Sequence, residues 1–154
     1  MNEVIIKNKW MKFALKEAEK ALKMEEVPIG SVIVKDNKII GRGYNQVESL
    51  VDSTAHAEII AITSAANYLG DWRLNDCSIY ITKEPCLMCY GAILNSRIVN
   101  VIYGFSDSDK GFRVRLNKEL ILYRTHLKNI EGNVLHLDCK MLVEDFFKSK
   151  RKKS

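Results

Sequence analysis

The chain has 154 residues, 47% of them hydrophobic and 28% charged, with a formal net charge of +5; that length fits one domain and that composition an ordinary globular one. No apolar run approaches the roughly 20 residues needed to cross a bilayer, and the opening "MNEVIIKNKW" lacks a signal peptide's long apolar core and small-residue cleavage site. No membrane association is expected, and a cytoplasmic location is the default. In chain order, residues 10–24 read as an amphipathic helix, with Trp10, Phe13, Ala14, Ala18, Ala21 and Leu22 recurring at three and four. Pro28 ends it. "SVIVKDNKIIGRGYN" reads as a hairpin turned at Asp36-Asn37. A second helix is expected over 54–68, capped by Asp52 or Ser53 and stopped at Gly70. "CSIYIT" has the β-rich character of a central strand. Pro85 then opens a third helix, to about residue 95. "VNVIYG" reads as another buried strand. A last helix is expected over 138–148, with Leu142, Val143, Phe146 and Phe147 on its apolar face. Residues 1–147 thus form a single domain, followed by a basic tail, 148–154, expected to be disordered. Alternating strands and helices predict an α/β sandwich around one mixed sheet.

"STAHAEII" places His56 and Glu58 inside an otherwise apolar run, where both are costly to bury without a partner. A partner set stands in "EPCLMC". Cys86 and Cys89 are three residues apart, so on a helix they share one face. They lie at its start, where unpaired N–H groups and the helix dipole favour thiolate, the form that binds metal. Two thiolates and the His56 imidazole make three ligands for a zinc ion and leave one tetrahedral position open, as catalytic sites do. Glu58, two residues past His56, can then reach a water on the metal without being a ligand. Two other readings of the cysteine pair stay open. A thioredoxin-like redox site fits Pro85 and the upstream His-x-Glu poorly. A structural zinc site needs a fourth ligand, and His126, His136, Cys77 and Cys139 are not spaced as a ligand pair. Cys77 and Cys139 stand singly among apolar residues, as core cysteines do. His-x-Glu followed by Pro-Cys-x-x-Cys is the pattern of zinc nucleobase deaminases.

Charge is unevenly placed. Residues 110–128 hold six basic residues against one acidic, and 148–153 hold five against none, so each segment carries +5 and the remainder −5. Concentration in the C-terminal third suggests a polyanionic partner, or else a solvated face and solubilising tail.

"TAHAEIIAI", "EPCLMCYGAILNSRI" and "VPIGSVIVKDNKIIGRGYN" together resemble the bacterial tRNA adenosine deaminase family, within the cytidine deaminase-like fold. The resemblance runs from about residue 10 to 104 and resumes at "DCKMLVEDFFKSKR", which looks like the family's last helix. It implies a three-layer sandwich with a sheet of about five strands, a homodimer, and one Zn2+ per chain on His56, Cys86 and Cys89. It also implies Glu58 as proton shuttle, Asn45 as a hydrogen-bonding partner of the nucleoside, and the backbone around Ile29 and Ala57 as a frame for the base. Phe146, Phe147, Lys148, Lys150 and Arg151 are candidate RNA contacts. The implied reaction is hydrolytic deamination of adenosine to inosine at the first anticodon position of tRNA, with release of ammonia. The alternative is a deaminase of a free base or nucleoside, such as guanine or cytosine, on the same scaffold. A non-catalytic RNA-binding subunit is a third reading, against which Glu58 argues. After Gly104 the chain departs from the family. Residues 105–133 are bulkier and more basic, and the Asn-His-Arg triplet before the last strand region is missing. Arg113, Arg115 and Arg124 are candidates to take over the contacts that this part makes to flanking nucleotides.

Overall fold

Three short strands buried on both faces set the architecture. They are β1 (Gly30–Lys35), β3 (Ser78–Lys83) and β4 (Asn100–Phe105). Their side chains alternate between two cores, as the strand period requires. Val32, Val34, Tyr80 and Ile102 pack with Trp10, Met11 and Ala14 of α1 (Glu3–Lys23) and Cys139 of α7 (His136–Lys153). Ile33, Ile79, Ile81, Val101 and Tyr103 pack with Ala61 and Ala65 of α3 (Ala57–Leu69) and with Tyr90 and Ile93 of α4 (Leu87–Asn95). This computed structural model describes residues 2–122 and 126–153. With β2 (Lys38–Tyr44) and β5 (Asn129–Glu131) at the edges, the sheet order is β2-β1-β3-β4-β5. β1 runs antiparallel to β2 and β3, and β3, β4 and β5 are parallel. The five-stranded mixed sheet in a three-layer sandwich is thus as expected. Among the described residues, no helix is long and apolar enough to cross a membrane.

This topology brings the chemistry to one end of the sheet. Antiparallel pairing sets the start of β1 beside the ends of β2 and β3, with Gly30 opposite Tyr44 and Ser31 opposite Ile81. Parallel pairing sets Phe105, the end of β4, beside Lys83. Both α3 and α4 begin at this end. α3 lies close on β2 because Gly43 has no side chain: a Cβ there would collide with the Ala57 carbonyl and the Ala61 amide.

Several boundaries differ from expectation, each for a local reason. α1 begins seven residues earlier than the apolar stripe, capped by Asn2, whose Oδ1 accepts the Val4 N–H at 2.8 Å. Its first turn exposes Val4 and Ile5, so no buried face marks it. Asp52 does not cap α3. Its carboxylate accepts the N–H and hydroxyl of Thr54, closing a turn, and His56 holds the N-cap position instead. Gly70 ends α3 in the left-handed region, as expected. Pro85 stands just before α4, whose N-cap is Cys86. A short helix not anticipated, α2 (Val47–Leu50), receives the buried Glu26 carboxylate, which accepts the N–H groups of Glu48 and Ser49 and the Ser49 hydroxyl. α7 continues to Lys153, through the tail expected to be disordered. The Lys150 ammonium lies 5.2 Å from the Phe146 ring one turn back, and four basic residues in the last turn complement the helix dipole. Ser154 lies outside the described residues. Between β4 and β5, α5 (Phe112–Arg115) and α6 (Lys118–Leu122) are short helices.

Candidate active site

His56 and Cys86 occupy the N-cap positions of α3 and α4, and neither side chain caps its helix. Cys89 is one turn into α4 and fully buried. Packing of the two helix starts brings His56 Nδ1 to 3.6 Å from Cys86 Sγ and 3.5 Å from Cys89 Sγ. All three ligand atoms lie within 4.8 Å of one another, and they are the group able to hold a metal ion among the described residues. Zinc–nitrogen and zinc–sulfur bonds in a tetrahedron separate the two ligand atoms by about 3.6 Å, and both nitrogen–sulfur distances match that separation. Cys77 and Cys139 are buried in the two cores, apart from this triad.

The electrostatics agree with that use. Cys86 is drawn down to about 4, chiefly by the hydrogen bond from Cys89 and then by His56. The same hydrogen bond, with burial, pushes the Cys89 thiol up. One thiolate therefore shares the other's proton, which a divalent cation would release. The hydrogen bond to Cys86 raises His56, with the Glu58 charge adding to it, against burial and the Lys83 charge. Glu58, in the first turn of α3, is 4% exposed, and burial raises its pKa, with the Cys86 charge adding.

A cavity of about 240 Å³ opens onto the triad. It is lined by Ile29, Asn45, His56, Ala57, Glu58 and Cys86, so the structure brings together the nucleoside-contact residues expected from sequence. The volume falls below the roughly 300–1,000 Å³ of drug-sized pockets and suits a single base. Asn45 is already engaged: its Nδ2 donates to the Val27 carbonyl and its Oδ1 accepts the Val47 N–H, each at 3.3 Å. One amide hydrogen and one lone pair are left to face a ligand. The backbone N–H of Asn45 donates to the Ile29 carbonyl at 3.1 Å, which fixes the two walls against each other. A larger groove, about 620 Å³, lies where Leu22 and Glu25, at the end of α1, face α7 and holds none of these residues.

The candidate RNA contacts divide. Phe147 lines the cavity, whereas Phe146 is buried and packs edge-on against it at 5.3 Å. Lys148, Lys150 and Arg151 are exposed on the same helix, with Lys150 beside the larger groove. Arg113 lies over the Phe112 ring, and Arg115 pairs with Asp109 at 3.4 Å; neither lines the cavity. Arg124 lies outside the described residues. Sequence reasoning missed six lining residues, the apolar Val27 and Val47 and the charged Lys83, Glu84, Asp107 and Lys110. Glu84 directly precedes the Pro-Cys-x-x-Cys pattern, and that adjacency was the available signal for it.

Residues 5–151 match the family model described as MafB19-like deaminase. A tRNA-specific adenosine deaminase from Buchnera aphidicola is 43% identical over 142 residues, 92% of this chain and 94% of that protein. A solved chain from structural studies of A-to-I editing by tRNA:A34 deaminases at the wobble position of transfer RNA superposes with a TM-score of 0.80. It is 35% identical, and the match covers 87% of this chain and 98% of that one. A guanine deaminase structure from Bacillus subtilis is 40% identical but superposes at 0.64, over 71% of this chain and 68% of that one. On that identity and coverage, the chain belongs to the tRNA-specific adenosine deaminases, within the MafB19-like deaminases.

Proposed function

We propose that this chain hydrolyses the 6-amino group of adenosine at the first anticodon position of a tRNA, yielding inosine and ammonia. The observation that carries the reading is the convergence of the metal-binding triad, a buried carboxylate and an amide wall in one base-sized cavity. His56, Cys86 and Cys89 would hold one Zn2+ per chain, the ion that two thiolates and an imidazole suit. Such an ion, when bound, would supply the acidity that makes water a nucleophile near neutral pH. Glu58 takes up a proton on its carboxylate and returns it to the base, serving as general base and then general acid. Hydrolysis forms a bond from oxygen to C6, breaks the bond from C6 to N6, and sends the nitrogen out as ammonia. Asn45 orients the nucleoside through its remaining amide hydrogen and lone pair, and the backbone at Ile29 and Ala57 frames the base. An unpaired anticodon base reaches such a cavity without the cost of extrusion from a duplex.

Membership in the tRNA-acting family and the concentration of positive charge in the C-terminal third both support an RNA substrate over a free base. A cytoplasmic location accords with that substrate. Exposure of Leu87 and Met88 in the first turn of α4 supports the homodimer implied by family resemblance. The test is a tRNA transcript carrying adenosine at the first anticodon position, incubated with purified protein and read by reverse transcription. Guanosine-like readout at that position is expected, and an unchanged adenosine readout contradicts the proposal.

A further inference from the structure

Lys83, Asp107 and Lys110 line the same cavity, yet the chemistry above uses none of them. Lys83 closes β3, three residues before Cys86. Asp107 and Lys110 lie in the turn after β4. The Asp107 carboxylate works in two directions. Its Oδ1 accepts the N–H groups of Asp109 and Lys110, each at 3.0 Å, which closes the turn. Its Oδ2 accepts from the Lys83 ammonium at 2.8 Å. Burial alone would raise Asp107, but these hydrogen bonds and the Lys83 charge outweigh it and hold the carboxyl at about 2.

The turn is itself fastened to the metal-binding end of α4. The buried Glu84 carboxylate accepts the N–H of Asp107 at 3.2 Å and that of Arg113 at 3.1 Å. The Pro85 carbonyl accepts the Phe112 N–H at 2.9 Å. Gly111 seats tightly over that carboxylate, where a Cβ would collide with Glu84. The Lys83 side chain and the backbone that carries Lys110 are therefore fastened beside the triad. They also stand further out: Glu58 and Glu84 are each 4% exposed, the Lys83 side chain is 25% exposed, and Lys110 is exposed. An ammonium carries three donors, and the Lys83 contact with Asp107 uses one of them. A base that fills the inner cavity brings its own backbone across this rim, and the strongest anion on that backbone is a phosphate.

We propose that Lys83 and Lys110 form a phosphate subsite at the cavity rim that takes a backbone phosphate beside the target adenosine, with Asp107 as the positioning residue for Lys83. The subsite rests on the RNA-deaminase reading and is distinct from the basic end of α7. A partly shielded, pre-positioned ammonium loses less entropy on binding and is less screened than a surface lysine.

The test uses full-length, zinc-loaded protein and an anticodon stem-loop. Binding and inosine formation are measured across a range of salt for wild type, Lys83→Met, Lys83→Arg and Lys110→Met. The series is repeated with a single methylphosphonate, which removes one phosphate charge, at either position beside the target. Each Met variant is expected to weaken binding roughly tenfold and to lower the salt slope by about 0.7 for each phosphate that is no longer neutralised. Lys83→Arg should retain most of the affinity. One of the two methylphosphonates should weaken wild type and have no further effect in Lys83→Met. Additive losses at both positions, or unchanged binding and slope in both Met variants while wild type still makes inosine, overturn the subsite and leave the deaminase reading standing. Absence of inosine with wild type overturns that reading and the subsite together.

Discussion

Glu58 and Cys89 are buried side by side in the same site, yet their duties are separable. A metal ligand is needed for occupancy, whereas a proton shuttle is needed only for turnover. Glu58→Ala should keep its zinc and its fold and lose at least about 10²-fold in rate, the usual scale of general acid–base catalysis. Elemental analysis beside a turnover assay checks it, and near-normal turnover refutes the assignment. Replacing Cys86 and Cys89 by serine should instead empty the site, so zinc at full occupancy in that double variant would rule out the triad as the metal site. At this scale the sequence is informative where residue type restricts chemistry. His56 and Glu58 are expensive to bury without a partner, and Cys86 and Cys89 stand at metal-ligand spacing, so their grouping is legible before any fold is known. Lys83, Asp107 and Lys110 are not. As letters they resemble any solvated charge, and only pairing of Lys83 with Phe105 across β3 and β4 brings the first beside the other two.

Among the elements, α7 departs from expectation at its end. Its buried face, Cys139, Val143 and Phe146, follows the helical period and is legible in the sequence. Its last turns are not, because "KSKRKKS" has no apolar face and composition alone suggests disorder. Helix order there sets a row of cations beyond Phe147, which itself lines the cavity. Ending the chain after Phe147 should therefore leave zinc content intact, weaken stem-loop binding, and flatten its salt dependence by about 0.7 for each phosphate left without its cation. Titrations at several salt concentrations measure this, and an unchanged slope would make the extension a solubiliser only. β5 was also hidden in the sequence. Three residues are too short to show alternation, and the strand is held at the edge by pairing to β4 and by Asn129 Nδ2 donating to Asn100 Oδ1 at 2.8 Å.

Across the whole molecule, the division of labour follows the sheet. The central strands bury apolar side chains on both faces and hold two helix starts rigidly at one end, while polar and basic groups gather around the opening. A scaffold of this kind serves deaminases of several bases, so the substrate must be argued from what surrounds the cavity. The small cavity and the basic C-terminal third both point to one unpaired base on a phosphate backbone. The most direct measurement is ammonia release by the same zinc-loaded preparation from an anticodon stem-loop with adenosine at the first anticodon position and, separately, from free guanine, cytosine, adenosine and cytidine. Turnover of the stem-loop, matched by inosine at that position and exceeding that of every free compound, is the predicted result; rapid turnover of a free base with no inosine in the RNA would contradict it.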